Sequence, residues 1–231
     1  MKTNALSIVF VSCIFLFLSF SCGQKQKPSD TDIQTATDTE KPEAEEPESD
    51  SKGKGPIGIR SGIIEYAYSG DKTGKSTQYF DDYGMKSAVY ADIVTQSESS
   101  KGWAVTIGED QYMWDPAKPG EGMKMKNPMV KAMMEKSPEE MEAFTGSMYE
   151  KMGMTKSGTE MFLGKECTVY KGDAGKVLIW RGILVLMEMK MGTFVSRQEA
   201  TSIKTGIRVD DKYFQIPKNI TFTEMPSMMD F

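Results

Sequence analysis

The sequence has no histidine. That absence removes every catalytic triad, zinc site or proton relay that needs an imidazole. Cysteine is scarce, at 3 of 231 residues, which excludes a disulfide framework. Basic charge is not in excess either: 28 basic side chains face 33 acidic ones, for a net charge of -5. Nucleic-acid-binding domains are usually strongly basic, so nucleic acid is not an expected partner. No internal repeat is present, and no series of long apolar runs marks a multi-span membrane protein. At 39% hydrophobic and 26% charged, the chain has room for one globular domain plus accessory segments.

What is present begins with an address. Behind Lys2 lies an apolar run over residues 5–18, followed by Leu18-Ser19-Phe20-Ser21-Cys22-Gly23. A positive start, a short apolar region and small residues before a cleavage point make a secretory signal. The segment resembles a bacterial lipoprotein signal, although Phe20 is larger than the residue usual at its place. The resemblance implies that residues 1–21 are removed and that Cys22 is lipidated and becomes residue one. The protein would then be extracytoplasmic, anchored by lipid to the outer membrane of a Gram-negative bacterium. Each buried acyl methylene contributes about 0.8 kcal/mol, so several chains hold stably. An uncleaved anchor helix is the competing reading.

Residues 22–56 then form an acidic tether. Aromatics are absent from it, Ile33 is its only large apolar residue, and Pro42, Pro47 and a run of Glu dominate. Such a composition buries too little surface to offset chain entropy and is expected to be disordered and extended. Cys13 leaves with the signal and Cys22 carries lipid, so Cys167 is the one thiol of the mature domain. Its setting, Glu166-Cys167-Thr168-Val169-Tyr170, reads as a strand and points to a buried packing cysteine.

Residues 57–231 carry the pattern of a folded domain. Short alternating runs separated by Gly-rich turns predict antiparallel hairpins before residue 120 and again after 159, with a loop over residues 69–74. Helices are expected at about 128–153. Asn127-Pro128 opens one, and Ser137-Pro138-Glu139-Glu140 supplies a capping box for the next. Met141, Phe144, Met148 and Met152 recur there at helical spacing. Residues 183–187 are apolar on both strand faces, so both sides are expected to be covered. Tyr213-Phe214-Gln215-Ile216-Pro217 reads as a terminal edge strand.

Several motifs fail on inspection. Gly70-Asp71-Lys72-Thr73-Gly74-Lys75-Ser76 has three residues between its glycines where a phosphate loop has four, and a strand follows it instead of a helix. Asp81-Asp82 and Asp210-Asp211 are adjacent pairs whose members point to opposite faces in a strand, so neither makes an acid/base site. The methionines stand out. There are 19, of which 11 lie within residues 113–161. Met187, Met189 and Met191 alternate on one strand face. Ordinary core, an adaptable apolar groove and a soft Cu(I) site are the three readings. The near-absence of His and Cys disfavours metal, so no cofactor is expected.

The segments Ile64-Glu65-Tyr66, Tyr79-Phe80-Asp81-Asp82-Tyr83-Gly84, Trp114-Asp115-Pro116, Phe162-Leu163-Gly164-Lys165-Glu166-Cys167, Ile179-Trp180-Arg181-Gly182 and Phe214-Gln215-Ile216-Pro217 together resemble the LolA/LolB-like outer-membrane lipoprotein carriers, specifically their lipoproteins of unknown function. The resemblance implies an α+β fold, mainly antiparallel β: an incomplete (half) β-barrel closed by a helical insertion over an apolar cavity, an insertion that in this sequence is Met-rich and so departs from the usual carriers. Its implied function is a non-enzymatic binding module for a lipid or other apolar ligand. The candidate lining or lid residues are Met129, Met133, Met141, Phe144, Met148, Met152, Met187, Met189, Met191, Trp103 and Trp114. A structural or assembly protein of the envelope, with a filled core and a protein partner, is the alternative.

Overall fold

The computed structural model describes residues 55–95, 99–126, 130, 133 and 136–225. The signal, Cys22, the tether up to residue 54 and Met129 lie outside the described residues. Twelve strands are seen: β1 (Gly62–Gly70), β2 (Lys72–Asp81), β3 (Lys86–Thr95), β4 (Ser99–Ile107), β5 (Asp110–Trp114), β6 (Glu121–Lys126), β7 (Met154–Phe162), β8 (Lys165–Gly172), β9 (Gly175–Trp180), β10 (Ile183–Met191), β11 (Phe194–Thr205) and β12 (Thr221–Met225). One continuous helix, α1 (Pro138–Lys151), precedes β7. Val130 and Met133 are helical as well.

All twelve strands belong to one sheet in the order β12-β6-β5-β4-β3-β2-β1-β11-β10-β9-β8-β7. Its two ends do not meet, so the barrel is open. Neighbours pair antiparallel except β12, which lies parallel to β6. The expected loop at residues 69–74 is much tighter than its composition suggests. Gly70 takes φ +93 and the chain turns at once into β2. The expected edge strand near residue 215 is instead a 3-10 turn at Asp211–Phe214, and the terminal strand comes later, at β12.

The sheet bends sharply about β1 and β11. Ile57 N donates to Tyr83 O at 3.0 Å, and the next amide, Gly58 N, donates to Arg181 O at 2.9 Å. The β2–β3 and β9–β10 turns therefore lie within about 10 Å of each other. On a flat sheet, four strand spacings of about 4.8 Å would hold them nearly twice as far apart. Two bulges supply the bend. Thr201 is the extra residue opposite β1, and Val185 the extra residue opposite β9.

Alternation along the strands shows what the bend achieves. On β1 and β2, Ile64, Tyr66 and Phe80 share a core with Cys167, Val169, Leu178 and Trp180 of β8 and β9. Their strand neighbours Ile63 and Tyr79 face the other way, into a second core beneath residues 209–216. Tyr170, Val177 and Ile179 likewise face away, into a third core with Tyr149 and Met152 at the end of α1. The order of layers is thus a C-terminal strap, β1–β4, β8–β10 and α1. This accounts for the two-sided apolar run in β10: Ile183, Val185 and Leu186 enter the first core, Leu184, Met187 and Met189 the third.

Helix α1 begins as its sequence dictates. Ser137 Oγ accepts from Glu140 N at 3.2 Å, while Glu140 Oε2 accepts from Ser137 N at 2.7 Å, and Pro138 occupies the first turn. Two otherwise orphaned amides are satisfied reciprocally.

Candidate functional site

The side chains proposed from sequence divide between two regions. Met187 and Met189 meet Met152 and Tyr149 in the core under α1. Met141 is buried, while Met133, Phe144 and Met148 are half-buried and Met191 is exposed. Trp103 and Trp114 lie elsewhere, on the far face of the first layer. The methionine helix and the tryptophans therefore do not line one hollow. The space between the two β layers is occupied: Ile64, Phe80, Leu178, Val185 and Cys167 are all at 0% exposure. Burial also pushes the Cys167 thiol up, and its Sγ donates to Lys165 O at 3.3 Å, consistent with a packing role.

A groove of about 610 Å³ lies at the tryptophans. Trp103 and Trp114 form its floor, as part of a longer row of aromatics running across the strands. Register places Tyr90 opposite Trp103, Trp103 opposite Trp114, Trp114 opposite Gly122 and Gly122 opposite Phe222. Directly opposed residues share a face, so one line of rings crosses β3, β4, β5 and β12. The indoles of Trp103 and Trp114 are near-parallel, at 6.3 Å and 17°. Phe222 stands edge-on to Trp114 at 6.3 Å and 85°. Gly122 makes room for it: a Cβ there would come within 2.6 Å of the Phe222 ring.

The C-terminal strap forms the groove's wall. It leaves β11 at Gly206, whose amide donates to Ser61 O at 3.0 Å, and Ser61 Oγ donates to Ile207 O at 2.7 Å. Asp210 caps the 3-10 turn, accepting from Lys212 N at 2.9 Å. Val209 and Phe214 then pack on Ala88 and Val105. Tyr213 lies flat on Tyr79, with ring centres 3.9 Å apart at 11°. Burial, then the neighbouring Tyr213, pushes the Tyr79 hydroxyl up to about 12, so it stays protonated at neutral pH. Ile216 and Pro217 continue the wall, and Lys212, Gln215 and Lys218 line it with polar groups. Lys212 pairs with Asp210 at 3.1 Å and holds its ammonium 5.1 Å from the Tyr213 ring centre.

Chemically this is an apolar, flat-floored groove with a polar rim. Among the described residues no group of three or more Cys, Asp or Glu side chains is placed to hold a metal ion. Sequence reasoning found the two tryptophans and missed Tyr79, Tyr213 and Ile216. The signal was present in Tyr213-Phe214-Gln215-Ile216-Pro217, but an extended apolar segment reads alike as strand or strap. A second hollow, about 400 Å³, lies near the β10–β11 tip and is lined by Gly70, Gly175, Met189, Lys190 and Val195 among others.

No family model matches the sequence, and no curated protein matches it. Among solved structures, one of PNGF-II aligns over 74% of this chain at 13% identity and a TM-score of 0.36. The match spans only 32% of PNGF-II's own length. LprF from Mycobacterium bovis aligns over 67% of this chain and 89% of its own, at 8% identity and a TM-score of 0.33. Likenesses at these scores carry no argument about function.

Proposed function

We propose that this protein is a membrane-anchored lipoprotein of the cell envelope and a non-enzymatic binding module for a lipid or other apolar ligand. The anchor is the lipidated Cys22, and the membrane is the outer membrane of a Gram-negative bacterium. In this reading the bent open sheet is the incomplete barrel of the carrier-like lipoproteins, and α1 with Met141, Met148 and Met152 is its helical insertion. The filled core between the β layers moves the ligand from the interior to the aromatic groove. That groove is the observation on which the reading rests: its volume is in the range of small-molecule sites, and convergent aromatics with a few polar groups are what such sites use. Aromatic faces bury large apolar area while Lys212, Gln215 and Lys218 meet a polar head.

The test is native mass spectrometry of the full-length protein after gentle extraction, beside Trp103→Ala and Trp114→Ala. Retained amphiphile in the parent, lost in both variants, supports the reading; a chain that is always empty overturns it. The filled interior favours one other reading, an envelope assembly protein with a protein partner. Crosslinking in cells separates the two, since a stable partner without lipid selects the latter.

A further inference from the structure

A second surface lies at the opposite end of the sheet from the chain's entry. The β10–β11 hairpin closes through Gly192 and Thr193, with Gly192 at φ +62. Its last rung is Met191 opposite Phe194, at 47% and 37% exposure, and the neighbouring Val195 is at 47%. Large apolar side chains at the tip of a two-residue turn lose water contact only if something outside the domain covers them. They are also the exposed end of a longer strip. Met187 and Met189 lie on the same strand face and are half-buried in the core under α1, while Met191 emerges from it.

The tip is held in place. Asp71 N donates to Val195 O at 2.8 Å, Asp71 Oδ2 accepts from Val195 N at 2.7 Å, and Lys190 N donates to Ala174 O at 2.9 Å. Three hairpin ends are thereby tied together, and they bring Lys72, Lys171 and Lys190 to the same rim as Asp71 and Asp173. We infer that this rim is a membrane-contacting surface: Met191, Phe194 and Val195 enter the interfacial region of an anionic bilayer while the lysines stay at the headgroups. Apolar side chains beside a rim on which lysines outnumber the carboxylates of Asp71 and Asp173 are an arrangement that partitions to such an interface, because burial and charge attraction add.

The tether suits this geometry. The domain chain enters at Gly62, paired with Thr205, at the end of β1 opposite the tip. With the tip on the bilayer, the tether must climb the length of β1, about 30 Å at 3.3 Å per residue. The 33 residues from 22 to 54 have a contour length of about 110 Å, which covers that climb. This point rests on lipidation of Cys22; the apolar tip does not, and neither depends on the aromatic groove.

The experiment uses the mature chain, residues 22–231, with Cys22→Ser, so that no anchor masks the tip. It is floated with phosphatidylcholine vesicles containing a quarter phosphatidylglycerol, and with pure phosphatidylcholine. The expected result is binding that requires phosphatidylglycerol, weakens with salt, and falls about tenfold in Met191→Ser/Phe194→Ser at an unchanged unfolding midpoint. Lack of binding by the parent overturns the inference, as does equal binding by the variant. So does a dimer in sedimentation that Phe194→Ser dissociates without any vesicle binding, which would assign the tip to a second copy. In the lipidated chain on vesicles, hydrogen exchange at residues 190–196 should slow relative to detergent; unchanged exchange counts against the inference.

Discussion

Tyr66 shows how one side chain can secure an irregularity. The β10 bulge at Val185 takes the Leu184 carbonyl out of the regular ladder, and the Tyr66 hydroxyl, two strands away, donates to it at 2.9 Å. The ring is 2% exposed, so water does not offer a substitute. Tyr66→Phe keeps the packing and removes the hydroxyl that Leu184 O shares with Gln78 Oε1, the latter at 3.2 Å. A buried acceptor left unmatched costs about 1–3 kcal/mol. The expected outcome is a lower denaturant midpoint with an unchanged slope, whereas Tyr66→Phe at full stability would mean the carbonyl finds another partner. Cys167 was legible from sequence at this scale because its neighbours alternate. Tyr66 was not, since nothing local tells an aromatic in a strand that a carbonyl 118 positions away will need it.

At the scale of elements, local signals were reliable and remote ones were lost. The Ser137–Glu140 box marks the start of α1 because capping involves residues three apart. The hairpins of β9, β10 and β11 follow from Gly182 and Gly192 at tight turns. The strap and β12 escaped notice because their partners lie far back in the chain: β12 joins β6 across about a hundred residues, and in parallel. The layering escaped for the same reason, since a bulge such as Val185 has no sequence signature of its own. The aromatic groove was half visible, as two tryptophans without their wall. Gly122 is the residue that seats Phe222 at the end of the aromatic row, next to Trp114. Its φ is unremarkable, so alanine suits the backbone, but the new Cβ would meet the Phe222 ring at 2.6 Å and Ile220 Cγ2 at 2.9 Å. Overpacking of this kind costs about 1–3 kcal/mol. Gly122→Ala is therefore expected to loosen β12 from β6, raising hydrogen exchange at residues 221–225 and altering tryptophan emission through Trp114. The same substitution should leave exchange in α1 and β8–β10 as it was, because those layers lie on the other side of the molecule. Uniformly faster exchange throughout would show instead that the groove and the double-layered core unfold together.

For the molecule as a whole, the ionisable groups with the strongest burial effects are tyrosines. Burial raises Tyr66, Tyr68, Tyr79, Tyr149 and Tyr170, with Tyr79 and Tyr149 pushed up to about 12. Each favours its neutral form in the fold. In the unfolded chain a tyrosine ionises near 10, so the stability these residues contribute is complete below that pH. As pH rises past about 10 the unfolded chain releases protons that the folded one retains, and the contribution is lost progressively up to the folded values. Lys72 has the opposite sign: burial lowers it, so its penalty is relieved as pH rises, but it is one group against five. At the acid end, Glu140 and Asp210 are lowered by hydrogen bonds from the backbone of Ser137 and Lys212 respectively, and what they contribute above the carboxylate range disappears as pH falls through it. With no histidine in the chain, the Cys167 thiol, raised by burial, is the group whose unfolded form ionises between these limits, at about 8.5. The unfolding midpoint is therefore expected to be nearly flat from about pH 6 to pH 8, to begin falling as the unfolded Cys167 thiol ionises, and to fall steeply above about pH 10. The alkaline fall should be shallower in Tyr149→Phe, which removes one ionising group from the core beneath α1. A midpoint that slopes across the neutral range, or an alkaline fall indifferent to that substitution, would show that buried tyrosines do not govern the pH response.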